Sequence, residues 1–87
     1  MNKSNRIYEK IVKISKELIP EQYISSDLER LVLIGSDSVR MMAFLSSIEE
    51  EWDIHIDDSL INAEFFSNYK YLVKCIKITL QKKSVMR

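Results

Sequence analysis

The chain is 87 residues long, 46% hydrophobic and 30% charged, with thirteen basic and thirteen acidic side chains that leave a formal net charge of zero. That length suits one domain with its own core, while one glycine, one proline and one cysteine favour helices over sheet and exclude a disulfide framework. Apolar runs such as 31–34 are too short to span a bilayer, the start Met1-Asn2-Lys3-Ser4 leads into a charged helix rather than a signal peptide, and the lone Cys75 fits a reducing cytoplasm.

The zero net charge conceals a division. Residues 1–19 sum to +3, residues 20–64 to −9 and residues 65–87 to +6. That polarity suits a basic partner meeting the centre of the chain.

Ile7, Ile11, Ile14 and Leu18 recur at helical spacing and predict a first helix from Lys3 to Ile19, ended by Pro20. Its basic residues are interrupted by Glu9 and Glu17, and no aromatic-and-basic surface accompanies them, which argues against nucleic-acid binding. Residues 20–37 show no periodicity of their own and read as a long connection, tied down by Leu28, Leu31, Leu33 and Ile34. Its end is Gly35-Ser36-Asp37-Ser38. Gly35 lets the backbone turn without a Cβ penalty, and Ser36 or Asp37 can cap the helix that follows. Ser38 then stands at the positive end of that helix's dipole, a favourable place for an anion.

The second long helix is predicted from Ser38 to Glu51, with Met42, Leu45, Ile48 and Trp52 as its core stripe and Phe44 broadening it. Met41 is expected to be exposed, and the open face holds Val39, Arg40, Ala43, Ser46, Ser47 and Glu50. Asp53, Asp57 and Glu64 match three positions of a calcium loop, but His55 and Asp58 stand where a ligand and a glycine are needed, so no metal site is assigned. His55 has no nucleophile at a meaningful spacing and reads as a surface or packing residue.

Residues 61–66 predict a short third helix with Phe65 and Phe66 plugging the bundle. A final helix from Asn68 to Lys82 puts Tyr69, Leu72, Val73, Ile76 and Leu80 on one face, with Lys70, Lys74, Lys77, Lys82 and Lys83 on the solvated side. Cys75 lacks an activating neighbour and reads as a buried or idle thiol. The tail, residues 84–87, reads as frayed.

The run Ile34-Gly35-Ser36-Asp37-Ser38-Val39, then Phe44-Leu45, Ile48-Glu49-Glu50-Glu51-Trp52, Ile54-His55-Ile56-Asp57-Asp58 and Phe65-Phe66, resembles the acyl carrier protein family. No gap is needed from Ile34 to Asp58, and each replaced core residue is apolar for apolar. The resemblance implies an all-α fold: an acyl-carrier-like four-helix bundle with three longer helices, one short helix and a long loop between helices one and two. It implies a single carrier domain that is not an enzyme, and no nucleophile–base pair or metal cluster in the sequence opposes that. Ser38 would carry 4′-phosphopantetheine, attached covalently from coenzyme A, with Asp37 and Gly35 shaping the attachment site. Cargo would ride on the arm as a thioester.

The partners so implied are a phosphopantetheinyl transferase, a cargo-loading ligase or acyltransferase, and downstream synthase or tailoring enzymes in specialised metabolism. No membrane span is implied, and the chain would be a monomer. In the family the second long helix is the docking surface, here Val39, Arg40, Ala43, Ser47 and Glu50. Arg40 and Ala43 depart from the acidic character usual near its start, which points away from the usual fatty-acid synthase enzymes. A free-standing aminoacyl or peptidyl carrier is the alternative, ahead of an arm-less interaction module and a small helical enzyme.

Overall fold

The structure is a computed structural model that describes residues 3–20 and 24–85. Four α-helices make it up: α1 (Lys3–Leu18), α2 (Asp27–Gly35), α3 (Ser38–Trp52) and α4 (Tyr69–Val85). Two 3-10 turns, Asp58–Leu60 and Ala63–Phe66, join α3 to α4. No strand occurs among the described residues, and no single helix there is long and apolar enough to cross a membrane.

Helix α1 forms as its spacing predicts, with Ile7, Ile11 and Ile14 buried. It closes through a last bond from the Ile19 N–H to the Ser15 carbonyl at 3.0 Å, after which Pro20 has no N–H to continue. Ser15 is buried without cost because its hydroxyl donates to the Val12 carbonyl at 2.7 Å.

The connection after α1 is not a continuous loop, and this corrects the sequence expectation. Residues 27–35 form α2, which is capped at its start by the Ser26 hydroxyl accepting from the Glu29 N–H at 3.1 Å. The Glu29 carboxylate reaches back to accept from the Ser25 N–H at 3.0 Å. The first bond satisfies a donor that a free helix start leaves unpaired, and the second ties down the residue before the cap. Leu31 and Ile34 then face the core. Arg30 is also inside, only 1% exposed, with Nε donating to the Ile19 carbonyl at 3.0 Å and the guanidinium donating to Asp27 at 2.7 Å.

The short third helix is also relocated. The stretch expected to hold it, residues 61–66, makes only the 3-10 turn Ala63–Phe66, so the short α-helix of this fold is α2. The Asn62 side chain caps the turn by accepting from the Phe65 N–H at 3.2 Å. Phe65 and Phe66 are buried as expected, with ring centroids 5.0 Å apart, and Phe66 meets Phe44 of α3 at 6.2 Å. Helix α4 runs on through Ser84 and Val85, past the expected end; Met86 and Arg87 of the expected frayed tail lie outside the described residues.

Gly35 is required by packing rather than by a left-handed turn. Its φ is not positive, but a Cβ there would stand 2.5 Å from Phe66 Cβ. Gly35→Ala is therefore expected to lower stability by roughly 1–2 kcal/mol, because overpacking outweighs the better helix propensity of alanine. Urea denaturation measures it, and an unchanged or raised midpoint would show that Phe66 yields freely.

Tyr69 ties α4 to α2 through a hydroxyl that donates to the Asp27 carbonyl at 2.7 Å. Burial, aided by the Asp27 carboxylate and Tyr8, pushes its pKa from 10.0 up to about 12. The neutral phenol is thus favoured in the fold, so its contribution is complete below pH 10 and is lost as pH rises from there through about 12. Urea midpoints measured between about pH 9 and pH 11.5 should fall more steeply for the wild type than for Tyr69→Phe.

Candidate functional site

Helices α2 and α3 meet at an elbow where the axis turns through 113°. Two residues make it. Ser36 closes α2, with its N–H and its hydroxyl both donating to the Leu33 carbonyl, at 3.2 and 2.8 Å. Asp37 opens α3 as its N-cap, in extended backbone at φ −130° and ψ 115°. The Asp37 carboxylate accepts from the Val39 N–H at 2.9 Å and the Arg40 N–H at 3.4 Å. Of the two residues able to cap α3, Asp37 does so and Ser36 serves the helix before it.

Ser38 is the first helical residue of α3, and its side chain is exposed. Its hydroxyl has no hydrogen-bond partner among the described residues. A serine hydroxyl is a poor nucleophile until a base takes its proton. The one histidine, His55, is beyond the other end of α3, where its Nδ1 lies 3.2 Å from Glu49 Oε2. Among the described residues no side chain is bonded to Ser38 that could take its proton.

Around Ser38 the outer face of α3 is apolar where most helix surfaces are polar. Val39 is 75% exposed and Met42 is 70% exposed. The sequence places Met42 in the core with Met41 outside; the structure reverses them, leaving Met41 partly buried against the hydrophobic core. Of the expected docking residues, Val39, Arg40 and Glu50 are exposed, whereas Ala43 and Ser47 are only partly so. Met42 is therefore the outward residue that the sequence reading passed over, and Leu28, Val32 and Leu33 add exposed apolar surface on α2.

Other chemistry-bearing side chains lie away from Ser38. A cleft of about 770 Å³ between residues 53–60 and the end of α4 is lined by Asp53, His55, Asp57, Asp58, Lys82 and Lys83 among others. Asp57 there accepts from the Ser59 N–H at 2.9 Å, and bonds from Ser59 hold its pKa below the ordinary value. No group of three or more metal-ligating side chains forms among the described residues. Burial pushes the Cys75 thiol pKa up, away from the reactive thiolate.

Comparison with protein-family models, with curated proteins and with solved structures finds no match to this chain.

The cap is the part of the site that stability can read. Asp37→Ala should cost about 1 kcal/mol, whereas Asp37→Asn, which keeps the accepting oxygen, should cost much less. Thermal and urea melts of the two variants check it; equal losses would mean that the charge, not the bond geometry, holds the elbow.

Proposed function

We propose that this chain is a carrier protein of the acyl carrier kind, holding an acyl group as a thioester on a 4′-phosphopantetheine arm attached to Ser38. One observation carries the reading: a serine hydroxyl without an internal partner, exposed at the first position of a capped helix. Among the described residues no hydrogen bond uses that hydroxyl, which leaves it available for attachment.

The surroundings suit the arm. A phosphodiester on Ser38 lies at the N-terminus of α3, where the helix dipole favours negative charge by roughly 0.3–1 kcal/mol. Asp37 already occupies the Val39 and Arg40 N–H groups, so the dipole rather than those donors meets the phosphate. During attachment the Ser38 oxygen forms the new phosphoester bond while the diphosphate bond of coenzyme A breaks and adenosine 3′,5′-bisphosphate leaves. The hydroxyl proton passes to a base on the transferase, since no base on this chain bonds to Ser38 among the described residues. The terminal thiol of the arm supplies the thioester chemistry, and the chain supplies position and address.

The resemblance in sequence supports the same reading, with Ile34, Phe44 and Ile48 of the matching run all buried. In this reading a ligase or acyltransferase loads the arm, and synthase or tailoring enzymes of the cytoplasm take the cargo.

Co-expression with a broad-specificity phosphopantetheinyl transferase, followed by intact mass measurement, tests the proposal. The wild type should gain one phosphopantetheine, mapped to Ser38, and Ser38→Ala should gain none while melting like the parent. A wild type left unmodified, or a modified Ser38→Ala, would overturn it.

A further inference from the structure

The cleft between residues 53–60 and the end of α4 takes no part in presenting Ser38. It lies beyond the last turn of α3, about 21 Å along the helix axis from the serine. Its volume of about 770 Å³ is within the range of small-molecule sites. Ile54 and Leu60 give it an apolar floor, since both are half-buried and packed against the core. Thr79 joins that floor with its hydroxyl already spent on the Cys75 carbonyl at 2.8 Å.

Charges of opposite sign stand on the two walls. At one end they are closed: Lys83 Nζ donates to the Asp53 carbonyl at 2.6 Å and lies 3.2 Å from Asp53 Oδ2. His55 is occupied too, by Glu49 at 3.2 Å. The remaining charges stay open. Asp57 accepts the Ser59 N–H but no cation, and Asp58 and Lys82 have no side-chain hydrogen bond or ion pair among the described residues. Lys82 still acts across the gap, adding to the lowering of the Asp57 pKa that the Ser59 bonds begin. The cleft is thus apolar at its floor, with unpaired anions on one wall and an unpaired cation on the other.

We propose that this cleft binds a free amino acid with an apolar side chain. Lys82 takes the carboxylate of the ligand, Asp57 and Asp58 take its ammonium group, and its side chain lies on Ile54 and Leu60. A ligand with a single charge leaves one wall unanswered, so the site selects the zwitterion. Each of these partly exposed pairs contributes up to about five-fold in affinity. Binding is reversible and needs neither Ser38 nor an arm.

Amide NMR shifts of the unmodified chain, titrated with leucine, read the site. Signals of Ile54, Leu60 and Thr79 should move and saturate, with half-saturation near ~1 mM, while those of Val39 and Met42 stay in place. Leucinamide, which lacks the carboxylate, and isocaproate, which lacks the ammonium group, should each bind about five-fold more weakly. Glycine, which has no side chain for the floor, should lose about ten-fold or more. In Lys82→Gln leucine should bind no better than leucinamide. In Asp57→Asn/Asp58→Asn, where asparagine keeps the oxygen that accepts from Ser59, leucine should bind no better than isocaproate. No saturable movement with leucine, equal binding of the whole panel, or a carboxylate preference that survives Lys82→Gln overturns the proposal.

Discussion

The close contact between Gly35 and Phe66 is the constraint on which the rest of this structure depends. Phe66 sits within the space a Cβ at Gly35 would take, so the end of α2 is pressed directly on the turn that precedes α4. Phe66 also meets Phe44 and Phe65, which joins α3 and the turn into the same packed group. Rings held this way leave α2 few ways to shift, because protein interiors pack near crystal density. The elbow at Ser36 and Asp37 follows immediately after the fixed point. Ser38 is thus presented from a rigid support, although its own side chain touches little.

A second tie works from the other end of α2. Arg30 carries a charge into the core, a costly placement unless its donors are satisfied. They bond to the Ile19 carbonyl, left over at the end of α1, and to Asp27 one turn earlier in α2. Tyr69 adds a bond to the Asp27 carbonyl from the start of α4. One short helix is therefore bound to α1 and α4 through polar groups at its start and to α3 and the aromatic turn through packing at its end. The far end of α3 is settled by a comparable device: Lys83 donates to the Asp53 carbonyl at 2.6 Å, and Asp53 takes the left-handed conformation that ends the helix.

The long helices were legible because their apolar residues repeat over many turns, and α1 and α3 begin at the predicted residues. Helix α2 was not, since nine residues give too few repeats for a period to stand out. Its start was nevertheless written in the chain: Ser26 followed three residues later by Glu29 has the spacing of a capping box, and Ser26 forms its capping bond while Glu29 reaches back one residue further, to the Ser25 N–H. Phase was the other difficulty. With methionine at both 41 and 42, spacing admits either as a core residue, and the choice is settled by Phe44, whose full burial turns Met41 inward and Met42 out. Gly35 was visible as exceptional from sequence, but its reason was tertiary. No local rule names Phe66 as its neighbour, thirty-one residues away. Ser38 could be singled out as a helix start, yet the freedom of its hydroxyl depended on Ser36 and Asp37 each spending their side chains elsewhere.

The two faces of α3 divide the demands placed on it. Its inner face is anchored by Phe44 and Ile48, both fully buried, each contributing on the order of 1.5–3 kcal/mol by removal from water. Its ends are closed by Asp37 at one side and by Asp53 with Lys83 at the other. Against those terms, a surface charge opposed to the dipole, such as Arg40 in the first turn, costs roughly 0.3–1 kcal/mol. The helix therefore stays folded while its outer face carries charges and exposed apolar groups that stability alone would not select. A loop could expose the same serine, but it could not hold Val39, Met42 and Glu50 in fixed register with it. The helix gives Ser38 a defined surface on one side, and the elbow keeps α2 clear of the hydroxyl.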